Sequence, residues 1–219
     1  SAFCAWRLRL AVCRRTSAPL RDMLAPVLHD SINPVAETLL RLVGAHGAKR
    51  PVGFTEGARA LGDWLRHSVG LPASSFRLKN GSGLYDANRV SAQAIVRLLT
   101  YARGTPGLEM LDRLLPMAGN EGTVKRRFKG TSLAGNLRAK TGTLDDAVAL
   151  AGAATLPDGA RFDFAVIVNA GDCADKPGCG RLNLGAVRRA IDRSVLAVWR
   201  HLGGPADPPP RPASKKGAG

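Results

Sequence analysis

Aromatic residues are scarce in this chain, at 5% of 219 residues. Proteins that track nucleic acid interleave basic charge with stacking rings. The most basic internal run, KRRFKG at 125–130, holds a single ring. It reads as an exposed loop of a basic protein, and no nucleic-acid partner is expected. Long apolar runs are also lacking. No stretch approaches the roughly 18–20 apolar residues of a membrane-crossing helix, so no transmembrane segment is expected. The four cysteines, Cys4, Cys13, Cys173 and Cys179, show no C-x-x-C spacing, which excludes the usual zinc pattern. Cys173 and Cys179 bracket the short loop CADKPGC and stand as either a local disulfide or two unrelated thiols.

What is present is ordinary globular composition with a strong charge bias. Hydrophobic residues make up 45% and charged residues 22%, enough for a normal core, and the net charge is +15. By itself that charge suits anionic partners, whether nucleic acid, a membrane surface or an acidic cell-wall polymer, and the scarcity of rings counts against the first. The opening SAFCAWRLRLAVCRR has arginines breaking its apolar run and no small-residue cleavage site, so it does not read as a signal peptide; with Ser1 in first place, a fragment or processed product is expected.

Helical spacing with caps and stops dominates the first two thirds. A helix is expected from Pro19 to Asp30 with a break at Pro26, and a second from Pro34 to Val43 stopped by Gly44. A third has Thr55 as N-cap and Gly70 at its end; Ser91 caps a fourth that ends at Gly104. LKNGSGLYDANRVS between the last two reads as a loop. A short helix stops at Pro116, and another short helical turn is expected around Val124–Phe128. After Asn136 the pattern changes. LRAKTGT, AVALAGAATL and ARFDFAVIVNAG are three β-rich runs, with PDGA as a hairpin signal between the last two. An amphipathic helix over 181–202 follows, then a proline-rich basic tail over 203–219, expected to be disordered. A helical region followed by an antiparallel meander and one covering helix is α+β.

Chemistry concentrates in two triplets. Lys140-Thr141-Gly142 lies on the first β run. Its ammonium and hydroxyl suit a terminal carboxylate, and the missing side chain at Gly142 lets a substrate backbone approach the strand. The next residue, Thr143, offers a backbone N–H to a developing oxyanion. The second triplet, Ser31-Ile32-Asn33, sits at the mouth of a helix. There a serine hydroxyl suits proton relay and an amide suits a substrate carbonyl. Each triplet alone also fits a solvated edge lysine and an ordinary helix cap.

Together, S-x-N at a helix start and K-T-G on the first strand of a meander match the motif set of penicillin-binding enzymes. With PVLHDSINPVAETLLRLVG, NGSGLYDANRVSA, LPMAGNEGTVKRRF, AGNLRAKTGTL and ALAGAATLPDGARFDFAVIVN in that order, residues 16–202 resemble the low-molecular-weight penicillin-binding D-alanyl-D-alanine carboxypeptidase/endopeptidases, peptidase family S13. Two positions depart from the family loop: Asn80 stands for the usual Asp and Tyr85 for the usual Ser.

The resemblance implies the penicillin-binding/β-lactamase-like transpeptidase fold, here its C-terminal part. It also implies a serine carboxypeptidase that acts on peptidoglycan stem peptides ending in D-Ala-D-Ala through an acyl-enzyme, binds β-lactams, needs no cofactor and works in the periplasm. Carried onto this sequence, Ser31, Asn33 and Lys140 are catalytic, and Thr141, Gly142 and Thr143 bind substrate. The nucleophile is not among these residues. No serine here has lysine three positions later; Ser74 has Arg77, which cannot act as a base, and Cys173–Lys176 falls in a loop after the third strand. Residues 1–15 are not part of the resemblance, and the N-terminal strands and nucleophile helix are expected to lie outside this sequence, which by itself is expected to be an inactive fragment. The alternatives are a class A-like β-lactamase and a non-catalytic cell-wall or nucleic-acid-binding module.

Overall fold

The computed structural model describes residues 16, 18–46, 48, 50, 52–85, 88–170 and 182–209. The four cysteines, most of the opening segment and residues 210–219 of the tail lie outside the described residues, so the alternatives at Cys173 and Cys179 lie outside them too.

Three helices come first: α1 (Leu20–Asp30), α2 (Asn33–Ala45) and α3 (Phe54–His67). A 3-10 turn leads to the two-residue strands β1 (Phe76–Arg77) and β2 (Arg89–Val90), which pair across the 78–88 loop. Next are α4 (Ala92–Gly104) and the one-turn α5 (Leu111–Leu114). The meander β3 (Leu137–Thr143), β4 (Ala147–Thr155) and β5 (Arg161–Asn169) is antiparallel in the order β3-β4-β5, and α6 (Leu184–His201) closes the described fold. The α+β architecture is as the sequence pattern implies. Ser91 accepts from the Ala94 N–H at 3.1 Å, which fixes the start of α4, and Gly70 (φ 72) turns the chain out of α3.

Four local expectations are corrected. Pro26 does not break α1. The carbonyl it leaves without a helical partner belongs to Asp22, an exposed residue of the first turn, so the lost bond is not buried. Gly44 does not stop α2, which runs on to Ala45. A Cβ there would lie 2.7 Å from the Gly57 nitrogen of α3, so the residue is small because two helix backbones touch. Thr55 does not cap α3. The helix starts at Phe54, and Glu56 reaches back to accept from the Gly53 N–H at 3.1 Å. The turn expected over Val124–Phe128 lies earlier, at Gly122–Val124, because Phe128 adopts the left-handed conformation (φ 57).

The α2–α3 contact gives a stability prediction. A Cβ on Gly57 would meet the Leu40 carbonyl oxygen at 2.4 Å. Gly57→Ala should therefore cost about 1–3 kcal/mol in urea unfolding. Gly104→Ala, where the added carbon meets nothing, should be neutral or slightly stabilising.

The main core lies between the sheet and α6. Leu137, Ala139, Val148 and Leu150 face Ile191, Val195 and Trp199, all essentially buried. This follows from period-2 burial on β3 and β4 meeting a helical stripe at 191, 195 and 199. The Trp199 indole donates to Ser132 Oγ at 3.0 Å. Part of the tail joins this region: Asp207 accepts from the Ser132 N–H at 3.0 Å and pairs with Arg200. On the opposite face, α4 docks on β5 through Asp163, which accepts from Thr100 and Arg103, each at 2.8 Å. A smaller core of Leu65, Val69, Leu71 and Ala94 joins α3 to α4. The sheet thus has a helix on each face, and the helical layer carries the α1–α2 junction to β3.

Candidate active site

That junction is where Ser31 sits. It caps the C-terminus of α1 with φ 55 and ψ 53, two residues before α2 begins. A non-glycine residue in the left-handed region is uncommon and marks a position held by its surroundings. Its hydroxyl meets Lys140: the ammonium of this β3 residue donates to Ser31 Oγ and, at 2.8 Å, to the Thr141 carbonyl. Both side chains are partly buried. Burial pushes the Lys140 ammonium below the usual lysine value, because the charged form loses hydration. The structure therefore brings together the serine and the lysine singled out in sequence, 109 positions apart.

The rest of the site follows from strand alternation. The Ala139 N–H donates to the Pro116 carbonyl at 3.1 Å, and the Ala118 N–H donates to the Leu137 carbonyl at 2.9 Å. Hence 137 and 139 turn their backbone polar groups to the outer edge of β3, where the 116–118 segment covers them. The Leu144 N–H bonds inward, to the Ala147 carbonyl at 2.8 Å. By the alternation of an antiparallel ladder, Thr141 and Thr143 also face outward. Past Lys140 that edge carries no strand partner among the described residues. The Thr141 carbonyl is engaged by Lys140, and the Thr143 N–H is presented to the opening.

Asn33 is the first residue of α2, partly buried, with no side-chain hydrogen bond among the described residues. Gly142 has its missing Cβ position 3.4 Å from Ala149, ordinary contact, so packing does not demand glycine there. Among the described residues no group of His, Cys, Asp and Glu could hold a metal ion, and no helix is long and apolar enough to cross a membrane.

Sequence reasoning missed three groups here. Thr123, on the Gly122–Val124 turn, accepts the Thr141 hydroxyl at 2.7 Å. The same turn packs against the last turn of α1, where a Cβ on Gly122 would lie 2.6 Å from the His29 carbonyl oxygen. Arg188 of α6 donates to Thr143 Oγ1 at 3.3 Å. The third is Glu37, one turn beyond Asn33, whose carboxylate accepts from the Gly81 and Ser82 N–H groups at 2.9 and 3.0 Å. It pins the glycine-rich loop to α2 so closely that a Cβ on Gly81 would lie 2.3 Å from the Ala36 oxygen. None of these contacts has a periodic signal. Only the charged or hydroxyl residues flanking each motif mark them.

Inside that loop the two departures from the family pattern take clear places. Asn80 accepts from the Gly83 N–H at 2.9 Å and donates to the Leu84 carbonyl at 2.8 Å, a donor role an ionised Asp lacks. Tyr85 is 88% exposed with φ 63 and packs nothing into the fold.

Desolvation pushes Glu37 upward, but bonds from the Ser82 hydroxyl and the two amides, with Arg41 nearby, outweigh it and leave the pKa lowered. A carboxylate whose folded pKa is depressed stabilises the fold above its unfolded value, and that contribution is lost as pH falls through the folded value. Acidification should therefore release the Gly81 and Ser82 amides to hydrogen exchange before the core of the sheet opens. Glu37→Gln should show faster exchange of those amides already at neutral pH, and no such acid step. Equal protection in both proteins would exclude the clamp.

The model of the D-Ala-D-Ala carboxypeptidase 3 (S13) family matches residues 9–181. Carboxypeptidase DacB of Mycolicibacterium smegmatis is 39% identical over 193 residues, covering 85% of this chain and 39% of the relative. D-alanyl-D-alanine carboxypeptidase DacB of Haemophilus influenzae is 31% identical, covering 72% of this chain and 33% of the relative. The crystal structure of penicillin binding protein 4 (dacB) from Haemophilus influenzae superposes with a TM-score of 0.68 at 29% identity, over 83% of this chain and 40% of that one. A TLA-3 extended-spectrum β-lactamase at 20% identity and TM-score 0.60 shares the fold. The chain spans about a third to two fifths of the length of the curated relatives it matches.

Proposed function

The chain belongs to the D-Ala-D-Ala carboxypeptidase 3 (S13) family, and from that premise we propose that it carries the S-x-N and K-T-G half of a penicillin-binding serine D-Ala-D-Ala carboxypeptidase. The observation that carries this reading is the contact of Lys140 with Ser31 Oγ beside the open end of β3.

The chemistry is acyl transfer. A serine of an S-x-x-K segment, contributed by sequence outside these residues, attacks the carbonyl of the penultimate D-alanine. The peptide C–N bond breaks, the terminal D-alanine leaves as its amine takes up a proton, and water hydrolyses the acyl-serine ester. In this chain the Ser31 hydroxyl relays that proton. Lys140, held against it with a lowered proton affinity, orients the hydroxyl and shares the proton. The outward Thr143 N–H stabilises the oxyanion, and the Asn33 amide takes a substrate carbonyl. The Thr141 and Thr143 hydroxyls, with Arg188 beside them, hold the terminal carboxylate. Substrate backbone lies along β3 past Gly142. A β-lactam presents a strained amide and a carboxylate to the same groups. The substrate is peptidoglycan stem peptide, which places the reaction at the cell wall, in the periplasm; no metal or organic cofactor takes part.

Intact mass after incubation with a penicillin tests this. This chain alone is expected to remain unmodified. A polypeptide that joins it to its S-x-x-K segment is expected to gain one acyl group on that serine and to release D-alanine from an acyl-D-Ala-D-Ala peptide. An adduct on the chain alone would locate a nucleophile within it and overturn the division of labour. A joined polypeptide that is folded yet inert would overturn the activity.

A further inference from the structure

The net charge of +15 is far more than this catalytic scheme uses. Part of it is organised beside the site. The Gly122–Val124 turn that supplies Thr123 continues into the basic run, and Arg127 of that run bonds Asp192 of α6 through Nε at 2.9 Å. The Arg127 side chain is only 10% exposed, so it acts as a structural pin and spends the acid on this flank of α6. Its neighbours Lys125, Arg126 and Lys129 are left exposed, with no ion pair among the described residues. On α6, Arg188 lies one turn before Asp192 and reaches Thr143, while Arg189 and Arg193 form the adjoining exposed row. The Arg127–Asp192 bond thus joins two basic segments into one strip that starts at the threonines of β3 and runs outward along α6.

We propose that this strip, Lys125, Arg126 and Lys129 with Arg188, Arg189 and Arg193, is an exosite for polymeric peptidoglycan, whose neighbouring stem peptides bear further carboxylates. The inference rests on the function proposed above. Its argument is continuity and charge. The strip begins at the groups assigned to the terminal carboxylate, so a polymer with further carboxylates at intervals meets further cations as it leaves the site. Its one ring, Phe128, is buried, so nothing there offers a base a stacking surface, which favours the carboxylate-bearing cell-wall polymer over nucleic acid. Clustered cations of this kind raise the local concentration of a polyanion and act less as salt rises.

Sedimentation of the chain with purified insoluble peptidoglycan tests the proposal. Wild type is expected to bind at low salt and to lose about tenfold or more in affinity between roughly 0.05 and 0.5 M salt. The triple variant Lys125→Glu/Arg126→Glu/Arg193→Glu leaves Arg188 and the β3 groups untouched. It should lose a comparable factor at low salt, and the neutral Lys125→Gln/Arg126→Gln/Arg193→Gln should fall between. Binding of a short acyl-D-Ala-D-Ala peptide, read at the Thr143 amide, should be equal in all three, which also certifies the fold. Unchanged polymer binding in the variants, or no polymer binding by wild type, overturns the exosite while the peptide result stands for the site itself. Duplex DNA bound as tightly as peptidoglycan, with the same loss on charge reversal, overturns the choice of partner. Loss of peptide binding in wild type removes the reading on which the exosite rests.

Discussion

If the proposed function holds, Lys140→Ala in a polypeptide that joins this sequence to an S-x-x-K segment is expected to lower kcat/KM for D-alanine release by about 10²–10⁴-fold, the range for a positioned proton-transfer group. The expectation follows from the proposed mechanism, in which a buried lysine of lowered proton affinity contacts the hydroxyl that passes the proton. Lys140→Arg separates two roles. Arginine keeps the charge but cannot take part in proton transfer. If it restores the rate, Lys140 acts by charge alone; the expected result is no recovery.

Stability should move the other way. A lysine whose folded pKa is depressed binds fewer protons folded than unfolded at alkaline pH. Stability therefore rises with pH as it climbs through the folded value towards the unfolded one. Removing the cation removes that penalty at neutral pH, so Lys140→Met should melt higher than wild type while losing activity. A lower melting temperature would mean that the bonds to Ser31 and the Thr141 carbonyl outweigh desolvation.

The second large effect is at Gly152, which pairs with Ala139 across β3 and β4. A Cβ there would lie 2.0 Å from the Arg138 carbonyl oxygen and 2.6 Å from the Ala139 Cα. Both are strand backbone, which cannot swing aside, so Gly152→Ala is expected to cost about 3 kcal/mol or more, at the upper end of overpacking penalties. The damage falls one residue before Lys140, so the site should be lost with the ladder. Gly142→Ala makes the contrast. Its Cβ meets Ala149 at an ordinary 3.4 Å, so stability should stay within about 0.5 kcal/mol. The added methyl projects on the Lys140 face of the open edge and should weaken peptide binding by about tenfold or more, about 1.4 kcal/mol. Urea unfolding and peptide titration of the two variants separate glycine kept for packing from glycine kept for ligand.

These residues also show what sequence carries and what it does not. The meander was legible because β3 and β4 alternate buried and open positions, and the start of α4 because Ser91 caps it through a local bond. The meeting of Ser31 with Lys140 was legible because the two triplets follow a known motif set in order along the chain. Thr123, Arg188 and Glu37 were not, since each acts across elements 18, 45 and 44–45 positions from its partner. Gly44 read as a helix stop because a stop and a close backbone contact select the same residue; only the position of α3 decides between them. Pro26 read as a break because a sequence does not reveal which carbonyl faces water.

The most direct measurement is an NMR titration of this chain with an acyl-D-Ala-D-Ala peptide and with its C-terminal amide. The free acid is expected to shift the Thr143 amide first, together with Lys140, Thr141 and Asn33, and the amide form to bind more weakly. Shifts confined to other surfaces, or no response at the Thr143 amide in a folded chain, would contradict the assignment of the open end of β3 as the substrate site.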